Sequence, residues 1–291
     1  MRTPAPVYTT GSVTSRDGTV LGYRRLGAGP AVVLVHGSMM SSANFMGLGA
    51  ALSADFTVYL PDRRGRGLSG PHGPGFTLER AAEDVGALVE HAGARDVFGL
   101  SAGAVPVLHW ALTRPEGYRV ALYEPPLPVG GSSPTAWLER YEHEMARSRL
   151  AAALVTVARG TQDSPLMEVL PRWLLVPLMG LALRAQERQG GDEVPLRDLV
   201  PTVGADARMV REATGLVGDA AAVRADLLLL GGSRSARYLK DALDALEDAV
   251  PRARRVELRG LGHLAADNGG RPDRVARALA DFFGGRPAPR P

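Results

Sequence analysis

Short apolar runs alternate with helix-like stretches along the first part of the chain. The runs AVVLV, FTVYL, DVFGL and RVALY have the length and composition of buried parallel strands, and they occupy residues 31–35, 56–60, 96–100 and 119–123. Helix-like patterns lie between them, at residues 43–53, 77–93 and 102–113. Strands that alternate with helices form a mostly parallel sheet covered by helices on both faces, so the sequence predicts an α/β fold.

This alternation has a hairpin before it and a second block of strands and helices after it. Asp17-Gly18 is a strong turn signal between two alternating runs, which predicts a hairpin over residues 10–26. The second block consists of strand candidates and helix candidates in turn, at residues 226–232, 236–248, 253–260 and 272–284. Both blocks fit one continuous sheet.

The segment between the two blocks predicts helices only. Residues 137–160 and 167–190 have helical patterns, and the second pattern is interrupted by Pro171 and Pro177. We therefore predict an α/β core, residues 1–126 and 223–291, with a helical cap, residues 127–222, inserted after the sixth strand. Apolar residues at helical spacing usually form a core, and in this cap they also favour a lid over an apolar pocket: Trp137, Leu150, Leu154, Leu166, Met167, Trp173, Leu174, Leu178 and Met179.

Composition excludes several classes of protein. The 291 residues contain no cysteine, which excludes disulfides, thiolate chemistry and metal sites with cysteine ligands. The net charge of +3 comes from basic residues scattered among 31 acidic ones, so we expect no nucleic-acid partner. The longest apolar runs are of strand length, so we expect no membrane span. The opening MRTPAPVYTT lacks the apolar core of a signal peptide, which predicts a cytoplasmic location.

A serine lies between two glycines where a strand candidate passes into a helix candidate. The sequence Gly99-Leu100-Ser101-Ala102-Gly103 follows the apolar run that begins at residue 96. A sharp turn from strand to helix holds its central residue in a strained conformation, so the residues two positions away on each side must be very small. The turn exposes the serine hydroxyl, and the first N–H groups of the next helix are left free to bind an anion. The pattern thus favours a nucleophilic serine over an ordinary turn.

Further polar residues follow the carboxyl ends of the predicted strands, where open α/β sheets bind ligands. They are His36-Gly37-Ser38, the run from Asp62 to Ser69, Glu124 and Gly262-His263. Together with the turn at Ser101, and in this order, they resemble the motifs of the α/β-hydrolase superfamily over nearly the whole chain. The resemblance implies the fold predicted above, including a cap after the sixth strand.

The resemblance also assigns roles to individual residues. Ser101 matches the nucleophile and His263 matches the base that activates it. The backbone N–H groups of Ala102 and Ser38 match the oxyanion hole, and Met39 supplies the second group if the loop is shifted by one residue. His36 is expected to brace that loop and not to act as a base. The run from Asp62 to Ser69 is expected to be structural, with Arg64 held by carboxylates or carbonyls.

The third member of the triad departs from the commonest pattern. Most members of the superfamily carry an aspartate just after the seventh strand, but residues 230–240 of this chain contain no carboxylate, and Asp241 and Asp244 fall within a predicted helix. Other members carry the acid after the sixth strand, where this chain has Glu124 followed by two prolines. We predict Glu124 as the acid, with Asp267 as the second choice.

The function implied is that of a serine hydrolase, a carboxylic-ester hydrolase acting on an ester, lactone or thioester with a small to medium apolar acyl group. The partner expected is this small-molecule substrate, a homodimer is left open, and no metal or organic cofactor is implied. Serine at the turn disfavours the epoxide hydrolases and dehalogenases that use an aspartate nucleophile. Two alternatives remain: a non-hydrolytic enzyme of secondary metabolism, such as a cyclase or acyl transferase, and a ligand receptor or pseudoenzyme.

Overall fold

One eight-stranded sheet organises the protein, as described by a computed structural model for residues 7–162, 167, 169–189 and 193–285. Its strands are β1 Thr9–Thr14, β2 Val20–Leu26, β3 Ala31–Val35, β4 Thr57–Pro61, β5 Asp96–Leu100, β6 Arg119–Tyr123, β7 Asp226–Gly232 and β8 Arg254–Leu258. Their order in the sheet is β1-β2-β4-β3-β5-β6-β7-β8. The pairs β1–β2 and β2–β4 are antiparallel and the other pairs are parallel, so the predicted hairpin and the mostly parallel sheet are both confirmed.

Helices cover both faces of this sheet and form the inserted segment. Their bounds are α1 Met46–Leu52, α2 Leu78–Ala92, α3 Ala104–Ala111, α4 Leu138–Met145, α5 Leu150–Gly160, α6 Arg172–Gln189, α7 Leu196–Leu199, α8 Val203–Glu212, α9 Leu216–Asp219, α10 Arg237–Ala249 and α11 Pro272–Phe283. Helices α2, α3 and α10 pack on one face of the sheet, and α1 and α11 pack on the other. The prediction of a helix-covered α/β sheet is confirmed.

Local chemistry explains where α2 begins and ends. The side chain of Thr77 accepts a hydrogen bond from the Arg80 N–H, which satisfies one of the free donors of the first turn. The helix ends at Gly93, whose φ of 60° lies in the left-handed region that favours glycine. The sequence predicts both of these ends.

Among the residues that the structure describes, the segment between β6 and β7 contains helices α4 to α9, and a separate apolar cluster holds several of them together. Tyr141 of α4, Leu154 of α5 and Val203 of α8 are buried in this cluster. The division into a core, residues 1–126 and 223–291, and a cap, residues 127–222, stays a prediction. No helix among the described residues combines the length and the hydropathy needed to cross a bilayer.

The structure refines one detail of the predicted cap and shows another to be wrong. Residues 137–160 form two helices because the chain turns at Ser148, whose φ of 56° does not fit a helix. Pro177 does not interrupt the next helix but lies inside α6. The Pro177 ring removes one backbone donor, which α6 tolerates at the protein surface because water can bind the freed carbonyl group.

The apolar residues predicted to form the lid do not share one environment. Trp137 lines the cavity described below and Leu154 is buried in the cap. Trp173 and Leu178 are 77% and 49% exposed, so the expectation that they pack over a pocket is wrong. Leu166 lies outside the described residues.

Candidate active site

The turn after β5 has the strained geometry that its sequence predicts. Ser101 has a φ of 53°, a left-handed conformation that is rare for a residue with a side chain. A Cβ atom on Gly103 would lie 2.2 Å from the carbonyl oxygen of His36, and one on Gly99 would lie 2.6 Å from the Cα atom of Ala104. Both positions therefore require glycine. The close approach between Gly103 and the His36 carbonyl group places the turn at Ser101 against the end of β3.

Three of the predicted site residues form a continuous chain of hydrogen bonds. The His263 Nε2 atom lies 2.9 Å from the Ser101 Oγ atom, and the His263 Nδ1 atom lies 2.6 Å from the Glu124 Oε2 atom. An imidazole with a carboxylate on Nδ1 carries its proton there, which leaves Nε2 as the acceptor for the serine hydroxyl. The geometry is that of a nucleophile, a base and an orienting acid.

Glu124 reaches His263 from the carboxyl end of β6. Its side chain is completely buried, and its φ of 48° is a second left-handed conformation at the site. The Oε1 atom accepts a hydrogen bond of 2.6 Å from the backbone N–H of Gly232, at the end of β7. The usual acid of the superfamily follows β7, so here the carboxylate comes from the neighbouring strand and is fixed by the backbone of β7.

The alternative carboxylates have other partners. Asp267, the second choice, accepts hydrogen bonds from the Asn44 side chain at 3.0 Å and from the Gly269 N–H at 2.8 Å. Asp241 and Asp244 lie on α10, where they pair with Arg237 and Arg255. Glu124 is thus the carboxylate that the structure brings to His263.

The candidate oxyanion donors come from two segments that meet at Ser101. Ala102 is the second residue of the short 3-10 helix Ser101–Gly103, and the first N–H groups of a helix have no acceptor within it. The loop that follows β3 lies against the nucleophile, because a Cβ atom on Gly37 would be 3.2 Å from the Ser101 Cβ atom. Ser38 and Met39 follow in this loop, and Met39 has a φ of 52°. Both stay candidates for the second N–H group.

His36 is held in the way expected of a brace. It is completely buried, its Nδ1 atom donates to the Gly37 carbonyl at 2.9 Å, and its Nε2 atom accepts from the Arg63 N–H at 3.1 Å. Burial, and then the nearby Arg66 and Arg63 guanidinium groups, hold the pKa of His36 well below its usual range. The imidazole is therefore neutral and committed to two backbone groups.

The run from Asp62 to Ser69 forms a network of ion pairs and hydrogen bonds. Arg64 donates two hydrogen bonds of 2.7 Å to Asp84 and one of 2.6 Å to Asp17. The hydrogen bond from Arg64 holds the pKa of Asp17 well below its usual range. Asp62 accepts from the Ser42 N–H at 2.6 Å and the Leu68 N–H at 2.8 Å. These contacts are consistent with the structural role that the sequence predicts.

A cavity of about 290 Å³ opens directly onto the hydrogen-bonded chain. Ser101 and His263 lie in its wall together with Ala102 and Ser38. Most of the remaining wall is apolar and comes both from strand ends and the loops that follow them and from the segment between β6 and β7, including Met39, Met40, Leu100, Pro126, Trp137, Val157, Leu196, Val203, Val210 and Leu264. A cavity of this size at the low end of the usual range accommodates a small to medium apolar group.

One residue of the site is absent from the prediction. Asp206 of α8 also lines the cavity, and it is bound by Arg63, Arg66 and Ser38. Its partners are at least 140 positions away along the chain. The segment VGADARMVRE has no motif that marks its aspartate as buried, so the sequence does not predict that Asp206 lies at the site. Within the described residues there is no cluster of three or more side chains suited to bind a metal ion.

Comparison with known proteins identifies the family. A family model described as the alpha/beta hydrolase family matches residues 32–278, and the chain belongs to this family. The crystal structure of an alpha/beta hydrolase from Sphaerobacter thermophilus superimposes with a TM-score of 0.74 at 30% identity, covering 94% of this chain and 100% of that one. This membership confirms the predicted superfamily.

Two curated relatives have different names. A pimeloyl-[acyl-carrier protein] methyl ester esterase from Xanthomonas campestris pv. campestris is 27% identical over 90% of this chain and 98% of its own length. A non-heme haloperoxidase from Rhodococcus erythropolis is 36% identical, but the match covers only 29% of this chain and 31% of that protein. An enol-lactonase from Burkholderia xenovorans shares the fold, with a TM-score of 0.66 at 24% identity over 94% of this chain and 100% of that one. The protein is thus an α/β hydrolase with an esterase among its relatives.

Proposed function

We propose that this protein is a serine hydrolase that cleaves carboxylic esters, lactones or thioesters with a small to medium apolar acyl group. The observation that carries the proposal is the continuous hydrogen-bonded chain from Ser101 through His263 to Glu124 at the wall of an apolar cavity. A serine hydroxyl is a poor nucleophile at neutral pH, and an acceptor nitrogen 2.9 Å away supplies the base that it needs.

The reaction follows from this geometry in two steps. Ser101 Oγ attacks the acyl carbon while His263 Nε2 takes the hydroxyl proton, and the N–H groups of Ala102 and of Ser38 or Met39 stabilise the oxyanion. His263 then returns the proton to the departing alcohol or thiol, leaving an acyl group on Ser101. In the second step His263 takes a proton from a water molecule as that water attacks the acyl carbon. His263 passes this proton to the Ser101 Oγ atom as the bond between Oγ and the acyl carbon breaks and the acid is released. Glu124 holds the imidazole in its tautomer and stabilises its positive charge throughout.

The shape of the cavity supports the substrate class. Its volume of about 290 Å³ and its mostly apolar wall favour short and medium acyl chains. A carboxylate beside His263 also weakens the case for a pseudoenzyme, since the missing acid after β7 was the sequence feature behind that alternative. A cyclase or transferase would use the same nucleophile, and product analysis in water separates it from a hydrolase. The cytoplasmic location stays a prediction from the sequence, and the homodimer stays open.

Turnover of p-nitrophenyl esters of increasing acyl length tests the proposal. We expect hydrolysis that is fastest for short or medium chains and slower for long ones, because the cavity limits the acyl group. Ser101→Ala should fold normally and lose activity by about 10⁶-fold, as for other serine triads. Absence of hydrolysis by the folded wild-type protein across the series, or a Ser101→Ala variant with more than a few per cent of wild-type turnover, contradicts the proposal.

A further inference from the structure

A buried carboxylate of the inserted helices meets two arginines of the core beside the candidate site. Asp206 on α8 has a side chain that is only 2% exposed. The Arg63 Nη2 atom donates to it at 2.7 Å, and Arg66 donates to both of its oxygens at 3.2–3.3 Å. The two guanidinium groups hold the pKa of Asp206 well below its usual range, although burial alone would raise it. The carboxylate is therefore ionised inside the protein, where these contacts help to compensate for its lost hydration.

The same carboxylate binds the loop that supplies a candidate oxyanion donor. The Ser38 Oγ atom donates to the Asp206 Oδ2 atom at 2.8 Å. The hydroxyl hydrogen of Ser38 is thus committed to the cap, so this side chain does not donate it to a substrate oxygen. The contribution of residue 38 or 39 to an oxyanion hole then has to come from the backbone N–H group.

The core holds this loop from the opposite side. His36 links the loop to the Arg63 N–H, and Asp62 accepts the N–H of Ser42 at the other end of the loop. Between these anchors, Met39 has a φ of 52°, a conformation that a methionine keeps only where surrounding contacts impose it. Asp206 holds the loop at Ser38, the residue next to Met39. It also binds the side chain of Arg63.

We propose that Asp206 is a positioning residue for the oxyanion hole: through Ser38 and Arg63, it fixes the direction of the backbone N–H groups at residues 38 and 39. This inference rests on the proposed serine hydrolase function. Because Asp206 belongs to α8, the oxyanion donors are in place only when that helix is seated on the core. The inserted helices therefore contribute to the chemical step as well as to the wall of the cavity.

Ser38→Ala is the most selective variant, because it removes the hydroxyl bond to Asp206 and leaves both arginine contacts intact. We expect kcat for the best p-nitrophenyl ester to fall by about 10-fold while KM stays within twofold, since the donors act on the transition state and not on the bound ester. Ser38→Thr retains the hydroxyl group and should recover most of the loss. Asp206→Asn also removes the charge between the two arginines. We expect kcat of the folded Asp206→Asn variant to fall by about 100-fold.

A second readout separates donor positioning from general damage. The trifluoromethyl ketone with the same acyl group adds to Ser101, the serine proton passes to His263, and the ketone oxygen becomes an oxyanion in the hole. Inhibition by this ketone should weaken in Ser38→Ala by the same factor as kcat/KM. Arg208→Gln is the matched control, because it removes an exposed ion pair with Glu142 from the same helix and should leave both values unchanged.

The outcomes distinguish this inference from the proposed function. A wild-type protein that neither hydrolyses the esters nor binds the ketone overturns both. An active wild-type protein whose Ser38→Ala variant keeps kcat and ketone inhibition within twofold overturns the positioning role alone. The same holds if Ser38→Ala raises KM and leaves kcat unchanged, or if Arg208→Gln loses as much activity as Ser38→Ala. Since Ser38→Ala leaves the buried ion pairs intact, the test stands even if Asp206→Asn does not fold.

Discussion

At the scale of single residues, Glu124 is the feature in which this chain departs from the commonest pattern of its superfamily. A carboxylate at the end of β6 reaches the histidine because β6 and β7 are neighbours and the Gly232 N–H fixes one of its oxygens. A Cβ atom on Gly231 would lie 3.1 Å from the Glu124 Oε1 atom, so a side chain larger than hydrogen at that position would crowd the acid. The two glycines at the end of β7 leave room for the glutamate that follows β6.

Replacing Glu124 by glutamine tests this assignment. The amide has nearly the same shape and keeps the left-handed backbone conformation, but it cannot both accept the Nδ1 proton and stabilise an imidazolium as a carboxylate does. We expect kcat to fall by about 10²- to 10⁴-fold with little change in unfolding temperature. Steady-state kinetics with the best ester measure the effect, and a kcat near the wild-type value would leave a Ser-His dyad or Asp267 as the remaining accounts.

Most of the candidate site could be predicted from the sequence because its residues follow strands at fixed positions. Ser101, His263 and Glu124 each come directly after a strand or in the loop beyond it, so their order along the chain predicts where they meet. Asp206 could not be predicted in this way. It reaches the site from the middle of a cap helix, and its burial depends on how that helix packs against Arg63 and Arg66.

At the scale of elements, the turn between β5 and α3 depends on the lack of a side chain at Gly103. A Cβ atom there would lie 2.2 Å from the His36 carbonyl oxygen and 2.8 Å from that of Val35. Gly103→Ala therefore has to displace the end of β3 or the turn itself, and such overpacking costs about 1–3 kcal/mol of stability. We expect a lower melting temperature together with a lower kcat, because both Ser101 and the loop that follows β3 would move.

Gly218→Ala is the matched control for this prediction. Gly218 lies in α9, its φ is not positive, and no atom lies within 4 Å of the position of an added Cβ atom. Alanine there should raise the melting temperature slightly, because it favours the helix and adds up to about 1 kcal/mol to the free energy of unfolding. A Gly103→Ala variant as stable and as active as Gly218→Ala would show that the close approach at the turn is not needed.

The strands and helices of the core follow from patterns that act locally, but the inserted helices do not. Buried strands are marked by apolar runs, and α2 has a cap at each end of its sequence. Two features of the inserted helices depend on how they pack and on access to solvent. They are the break between α4 and α5 at Ser148 and the position of Pro177 inside α6. A single sequence does not contain this information in any local pattern.

At the scale of the whole molecule, burial of a neutral histidine at the centre of the fold couples stability to pH. The pKa of His36 is lowered by burial, so between that low value and its usual value near 6.5 the unfolded chain binds a proton that the folded chain does not. Stability should therefore fall as pH is lowered from about 6.5 towards 5. One such proton contributes a slope of at most about 1.4 kcal/mol per pH unit.

His36→Gln should flatten this dependence. Urea unfolding of the wild-type protein and of the variant at pH 8 measures the loss of packing alone, because the imidazole is neutral in both states there. Repeating the measurement at pH 5.5 isolates the proton, and the difference in free energy of unfolding between the two proteins should be smaller than at pH 8. A difference that stays constant or grows as pH falls would contradict the account of a buried neutral brace.

The central claim is that His263 and Glu124 make Ser101 a nucleophile, and covalent labelling tests it most directly. A fluorophosphonate reacts much faster with a serine whose hydroxyl has a base beside it than with other side chains, and release of fluoride leaves a phosphonyl group on the Oγ atom. Mass spectrometry of the digested protein should show one adduct per chain, on the peptide that contains Ser101, and none in Ser101→Ala. A folded wild-type protein that remains unlabelled, or an adduct on any other residue, would contradict the account.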